Sequence, residues 1–318
     1  MSKLSQPIAV IDVGSHSLLL LIGRIDDHGR IEIIRQHFGQ AKLGAGPDHP
    51  PKLSGPAINR ALQVMDTLKD WIDRQGVRNV HVIGTAALRR AINARDLIRR
   101  VSERYGWHVN ILTADEEARY SYLGVIDGLN GEDRKYLVMD SGGGSTEIIL
   151  GSGDAIEYQQ SLDFGTLTLA RWMKGKITLN VQERQIALNR IKDRFKTLSF
   201  QDRIRGIGQF IVYGGTASTL AAIREKMTHY DSGRINSVIF DRDELWQLFE
   251  KLNAQTLARR RTLPGMEAGR ETVLIYGALI ILAFMELYDL KNFRVSDRGL
   301  RFGYLRMLSG RGDTKSGG

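Results

Sequence analysis

Apolar and polar positions run along the chain in blocks whose period switches between two and about 3.6, which predicts a mixed α/β protein. Residues 8–12 (Ile-Ala-Val-Ile-Asp) read as a short buried strand, 18–25 as a second apolar run, and 30–38 as a third, alternating strand. Turn chemistry separates them at Gly14-Ser15-His16-Ser17 and at Asp26-Asp27-His28-Gly29. A helix follows. Ser54 caps it, Pro56 sits in its first turn, and Ile58, Leu62, Met65, Leu68 and Ile72 recur at helical spacing until Gly76 closes it. Strands at 80–83 and 109–112 then alternate with helices at 91–105 and 114–129.

The same order begins again. Three strands are expected at 136–140, 146–151 and 155–161, then a helix at 181–195 and a strand at 210–213. Helices follow at 216–226 and 243–257, an apolar helix at 272–287, a strand at 293–296 and a last helix from Leu300. The polar Gly131-Glu132-Asp133-Arg134 stretch is the expected boundary, giving domains of 1–130 and 131–308, with the helix at 300–308 able to pack back on the first. Residues 309–318 are expected to be a disordered tail.

Aligning the halves on Asp12 and Asp140 exposes a repeat. Two residues on, both have Gly (Gly14, Gly142); five on, both have Ser (Ser17, Ser145); eleven on, both have Gly (Gly23, Gly151). Each Asp ends an apolar strand, and each glycine loop opens another. Such a loop lets successive N–H groups converge on an anion. A carboxylate beside it would repel phosphate unless a cation lies between, so Asp12 and Asp140 point to Mg²⁺. The bland alternative is a pair of tight hairpins whose Asp and Ser side chains satisfy turn amides.

Composition narrows the picture. The 318 residues include 45 Lys+Arg against 36 Asp+Glu, a formal charge of +9, and a 42% hydrophobic share typical of a globular protein of about two domains. The basic excess suits a polyanionic partner. Cys is absent, which removes thiolate metal sites and cysteine nucleophiles and fits a reducing cytoplasm. The uncharged run from Thr272 to Met285, broken by no ionisable side chain but Tyr276, is too short to span a membrane, so no membrane partner is expected. Walker, dinucleotide-binding, α/β-hydrolase and zincin motifs are missing from the sequence.

Further candidates stand outside the repeat. Gly214-Gly215-Thr216 joins a strand to a helix and would aim helix N–H groups at an anion. Thr113-Ala114-Asp115-Glu116 is a capping box, which occupies Glu116 and leaves Glu117 available as a general base. Arg89 or Arg90 could clamp a phosphate. Glu147 is either the outward face of a strand or a metal-site group. Arg259-Arg260-Arg261 reads as a solvated basic helix end.

Taken together, Ala-Val-Ile-Asp12-Val-Gly14-Ser15-His16-Ser17, Gly84-Thr-Ala-Ala-Leu-Arg89-Arg-Ala-Ile-Asn93, Glu116-Glu117-Ala-Arg119, Asp140-Ser-Gly142-Gly143-Gly144-Ser145-Thr146-Glu147, Gly214-Gly215-Thr216 and Ser296-Asp297-Arg298-Gly299-Leu300-Arg301 make the chain resemble the exopolyphosphatase / guanosine pentaphosphate phosphohydrolase (Ppx/GppA) family. The resemblance implies two RNase-H-like domains of the actin-like, sugar-kinase and heat-shock-ATPase superfamily with a catalytic cleft between them. It implies Mg²⁺-dependent removal of terminal orthophosphate from a polyanion, with Glu117 catalytic, Asp140 and Glu147 positioning metal and water, and Arg89 binding phosphate. The metal set expected is Asp12, Asp140 and Glu147, and the phosphate-binding set Ser15, His16, Ser17, Arg89, Gly142–Ser145 and Gly214–Thr216. Inorganic polyphosphate is the expected substrate and guanosine pentaphosphate the alternative. A sugar-kinase-like phosphotransferase and a non-catalytic sensor are remoter. A homodimer without a specific nucleic-acid partner is expected. Three positions depart from the family's usual residues: His16 for Asn, Arg90 for Glu and Phe302 for Glu, the last two expected to make the cleft less acidic. The chain also ends where longer members continue into helices.

Overall fold

A computed structural model describes residues 6–26, 30–44, 51–127, 129, 134–200, 203–204 and 206–308. The turn at 27–29, the linker at 131–133 and the tail at 309–318 lie outside the described residues. The first half of the chain forms β1 (Ile8–Val13), β2 (Ser17–Ile25), β3 (Ile31–Gln40), α1 (Gly55–Arg74), β4 (Asn79–Gly84), α2 (Ala86–Arg90), α3 (Ala94–Tyr105), β5 (Val109–Ile111) and α4 (Ala114–Ile126). The second forms β6 (Lys135–Ser141), β7 (Thr146–Ser152), β8 (Ala155–Leu162), α5 (Thr166–Trp172), α6 (Val181–Phe195), β9 (Gln209–Tyr213), α7 (Gly214–Arg224), α8 (Ser232–Ser237), β10 (Ile239–Asp241), α9 (Arg242–Asn253), α10 (Leu257–Arg261), α11 (Leu274–Leu287), β11 (Asn292–Ser296) and α12 (Leu300–Leu308).

The chain divides into two units, one running to Gly128 and resuming at Gly299, the other from Leu129 to Arg298. In the first, the sheet order is β3-β2-β1-β4-β5, with β1 antiparallel to β2 and parallel to β4. Ala9, Ile11 and Val13 turn to a core with α1 and α3, while Val10 joins Leu21, Ile83, Phe302 and Leu305 on the opposite face. Asp12 follows Val10's alternation and so ends β1 on that second face.

The second unit repeats this plan with order β8-β7-β6-β9-β11 and one added edge strand, β10. Here β6 is antiparallel to β7 and parallel to β9. Its core centres on α11, every residue of which from Leu274 to Met285 is buried. That explains its apolar run as a core helix; among the described residues no helix is long and apolar enough to cross a membrane.

Several elements differ from expectation. The helix expected over 91–105 is broken at Ala91–Asn93, because Asn93 spends its amide on both backbone groups of Leu53 (2.8 and 3.0 Å). The helix expected to reach 257 stops at Asn253, whose side chain pairs with the backbone of Leu179 (2.8 Å twice), and α10 starts afresh. The 300–308 helix groups with the first unit rather than the second. It does so by backbone contact: a Cβ on Gly124 would collide with the Gly299 carbonyl, and one on Gly303 with the Tyr120 carbonyl. Phe302 is fully buried there, a core residue instead of a cleft-lining one.

The close crossing predicts that Gly303→Ala destabilises the protein by about 3 kcal/mol, since neither backbone can yield. Gly55→Ala, with open space at its Cβ, should be neutral or stabilising by about 0.5–1 kcal/mol. Urea denaturation of both variants checks the contrast.

Candidate active site

The two glycine turns superpose in their hydrogen bonds. Gly14 N–H donates to the Ser17 carbonyl at 3.1 Å and Gly142 N–H to the Ser145 carbonyl at 3.0 Å. Asp12 pairs with Leu19 across the first hairpin and Asp140 with Glu147 across the second. Each next hairpin carries a bulge at the matching place, Ile22/Gly23 and Leu150/Gly151. A threonine also closes each turn: Thr85 Oγ1 donates to the Val13 carbonyl (3.3 Å) and Thr216 Oγ1 to the Ser141 carbonyl (2.7 Å). The residue after each strand-end Asp is thus held from the neighbouring strand–helix junction. Both threonines follow a glycine, a second repeat the sequence contained and the alignment on Asp12 did not detect.

In the first unit, Asp12 Oδ1 is shut off from solvent and accepts no hydrogen bond. Burial pushes this carboxyl up to about 7; the Arg301 guanidinium opposes the rise and Glu117 reinforces it. Arg301 arrives on α12 and donates to the Leu20 carbonyl at 2.7 Å. On α4 the capping box forms as expected: Thr113 N–H donates to Glu116 (2.8 Å), and Glu116 N–H to Thr113 Oγ1 (3.2 Å). Glu117 stays out of the cap. Arg89 Nη1 instead donates to it at 2.8 Å and to the Leu112 carbonyl at 2.8 Å, so one guanidinium edge aims the carboxylate. Both side chains remain 29% exposed. Ser15 is exposed at the loop tip, and the His16 carbonyl accepts from Ala41 and Lys42 N–H groups (3.0 and 2.9 Å).

In the second unit, Asp140 and Glu147 are directly opposed, which puts their Cβ atoms about 5 Å apart on one face. Like charges so placed repel unless a cation sits with them. Ser161 Oγ orients Glu147 from β8 at 3.0 Å. Gly214 has φ +83, and a Cβ there would collide with the Asp140 carboxylate, so only glycine lets β9 pass this close. The space beside Gly215 is filled by the Arg270 guanidinium, which Glu267 holds at 2.5 Å. Gly142 and Gly143 carbonyls accept from Thr166 and Leu167 N–H groups at 2.9 and 2.8 Å, fixing the second loop.

The family model described as the Ppx/GppA phosphatase family matches residues 21–309. The chain belongs to that family. A Haemophilus influenzae protein provisionally named an exopolyphosphatase is 30% identical over 313 residues, covering 95% of this chain and 91% of that one. Among solved structures, the Aquifex aeolicus PPX-GPPA enzyme has TM-score 0.81 at 28% identity, over 95% of this chain and 99% of that chain. A Cytophaga hutchinsonii exopolyphosphatase has TM-score 0.84 at 26% identity, over 96% and 98%. The two repeated sheets are the actin-like fold of the Ppx/GppA proteins.

Within this Ppx/GppA chain, three residues had no assigned role or the wrong one. Arg270 and Arg301 approach the loops although only long-range packing brings them there. Arg260, expected at a solvated helix end, is fully buried and donates to the Leu252, Glu271 and Ile177 carbonyls (2.7, 3.0 and 2.5 Å). Among the described residues no three His, Asp or Glu side chains converge as a ready metal cage. The oxygen donors nevertheless suit Mg²⁺, which takes one or two carboxylates and keeps waters. Asp12 Oδ1 has no competing hydrogen bond, and Asp140 and Glu147 offer two carboxylates from directly opposed positions.

Asp12 yields a stability prediction. A carboxyl raised from 3.8 to about 7 contributes stability in full below the unfolded value, and loses it as pH climbs through 7. At pH 8 the buried carboxylate therefore costs up to about 4 kcal/mol, at 1.36 kcal/mol per pH unit. In chelator-containing buffer, Asp12→Asn should be several kcal/mol more stable than the parent at pH 8 and nearly equal to it at pH 4. A difference independent of pH in urea titrations would show that Asp12 is not buried as a charge.

Proposed function

We propose that this chain is a Mg²⁺-dependent exopolyphosphatase, hydrolysing the terminal phosphoanhydride bond of inorganic polyphosphate and releasing orthophosphate. The observation that carries this reading is Glu117, spared by the capping box, aimed by Arg89 and close enough to the buried Asp12 to raise its pKa. Family membership and the exopolyphosphatase names of the relatives support it.

Hydrolysis of an anhydride is largely positioning and charge stabilisation. The glycine turns present backbone N–H groups to phosphoryl oxygens, with Ser15 and His16 at the first and Gly142–Ser145 at the second. Asp12 in the first unit, and Asp140 with Glu147 in the second, are the carboxylates suited to hold Mg²⁺, and the ion, when bound, would supply positive charge against phosphoryl oxygens. Glu117 takes a proton from water as the water oxygen bonds to the terminal phosphorus. The bridging P–O bond breaks, its electrons stay with the shortened chain as a terminal phosphate oxygen, and orthophosphate leaves. Arg89, fixed to Glu117 by Nη1, has its remaining N–H groups to offer a phosphate.

Orthophosphate release from long-chain polyphosphate, tripolyphosphate and guanosine pentaphosphate, measured side by side with Mg²⁺, tests the reading. The highest kcat/KM should fall to polyphosphate; preference for guanosine pentaphosphate would reassign the same chemistry to the nucleotide. Glu117→Gln should lower kcat by about 10²–10⁴ with little change in Tm. Glu116→Ala, which removes the cap acceptor, should do the reverse, costing about 1 kcal/mol of stability and leaving kcat near the parent's. Asp140→Asn should shift the Mg²⁺ titration to higher concentration and lower activity together, an outcome read directly from activity against metal concentration.

A further inference from the structure

The strongest unassigned feature lies on the first unit, where β3 forms the sheet edge beside α1. The Arg35 guanidinium stacks on the Trp71 ring at 3.5 Å from its centroid, and Arg74 approaches the same ring at 5.2 Å. His37 packs against it at 6.1 Å. Neither arginine has a carboxylate partner among the described residues, and Arg35 Nε is buried without a hydrogen bond. The nearby acids on α1 are spent elsewhere. Asp66 takes Arg104 (2.7 Å) and Tyr105 (2.8 Å), and Asp73 takes Lys69 (2.6 Å). Among the described residues, Asp70, exposed one helical turn before Arg74, and Glu32, toward the far end of β3, are the remaining acids in the neighbourhood.

Register gives this cluster a direction. Gln40, at the end of β3, pairs with Ser17 of the first phosphate loop. Arg35 lies five residues back along the strand, about 17 Å away at the usual rise. Between and beyond them lie His37 on β3, Lys42 in the loop that bonds the His16 carbonyl, and Arg60, which donates to the Ala41 carbonyl at 3.1 Å. Arg60, Thr67 and Arg74 are seven residues apart and share one stripe of α1 beside that strand. Lys42, Arg60, Arg35 and Arg74 thus set four cations between the loop and the tryptophan, with His37 beside them, whose charged form burial and Arg35 disfavour. A guanidinium held over an aromatic ring leaves its N–H groups pointing away from the ring plane's centre, and with Arg35 Nε buried it is the terminal Nη groups that remain to meet an anion.

We propose that the Arg35–Trp71–Arg74 stack is an exosite that binds the distal part of a long polyphosphate chain whose terminal phosphate occupies the first glycine loop. This rests on polyphosphate being the substrate. Tripolyphosphate bound at the loop is too short to reach the stack.

The test compares the parent with the double variant Arg35→Gln, Arg74→Gln. For long-chain polyphosphate the KM should rise about tenfold, and the dependence of log KM on log salt should fall by about 1–2 in slope, as two cation–phosphate contacts are lost. For tripolyphosphate the KM should stay within twofold, and kcat should hold for both. An unchanged long-chain KM, or equal losses for both chain lengths, overturns the exosite. Direct binding separates this from the functional reading. Long-chain polyphosphate should alter tryptophan fluorescence in the parent, tripolyphosphate should not, and Trp71→Phe should abolish the response. A parent that shows this response yet releases no orthophosphate would sink the exopolyphosphatase reading and keep the exosite; a parent that hydrolyses the chain with no Trp71 response would do the opposite.

Discussion

A carboxylate that must sit, negatively charged, at the end of a buried central strand is the constraint around which each unit is built. Asp12 ends β1 with one oxygen closed off from water, and burial, opposed by Arg301 and reinforced by Glu117, drives its pKa to about 7. Such a group is tolerated only where something positive compensates it. Arg301 does so partly, and a bound cation would do so further. The second unit meets the same constraint with two carboxylates, Asp140 and Glu147, opposed across a hairpin.

Much of the surrounding structure follows from keeping those strand ends accessible but fixed. Each glycine turn is closed by its own backbone, Gly14 N–H on the Ser17 carbonyl and Gly142 N–H on the Ser145 carbonyl. Thr85 and Thr216 pin the residue after each Asp from the next parallel strand, so the turn cannot swing away. Helix α12 is recruited back to the first unit by two glycines that allow backbone contact, and it delivers Arg301. In the second unit Arg270 is delivered to Gly215 by the turn before α11. That turn is itself tied down: Glu271 accepts Gly269 N–H at 2.7 Å, and Arg260 holds the Glu271 carbonyl.

The legible part of this was local. Strand-end Asp, glycine turn and following strand lie within about a dozen residues, so their repeat survives as spacing, and the capping box separates Glu116 from Glu117 by sequence alone. Short elements were illegible for a physical reason. Helices α5, α8 and α10 have 7, 6 and 5 residues, and β10 has 3, too few for either hydrophobic period to repeat. Arg260 was misread because three consecutive arginines look solvated; which one points inward depends on carbonyls supplied by Leu252, Glu271 and the distant Ile177. Phe302 was misplaced for the same reason. Its burial depends on where α12 docks, and docking is decided by Gly124, far away in the chain.

The duplication is also where the halves part company. The position paired with the strand-end Asp is Leu19 in the first unit and Glu147 in the second. Leucine there leaves Asp12 as a lone buried acid whose charge responds to what lies near it, namely Arg301 and Glu117. Glutamate there, which accepts from Ser161 Oγ, makes the second turn a two-carboxylate face. The same backbone plan therefore carries two electrostatic designs. The second unit pairs two carboxylates across its turn, and the first sets one buried acid near a glutamate that Arg89 orients. A duplicated turn would by itself make two equivalent strand ends; a single side-chain difference at one register position is enough to give them different electrostatics.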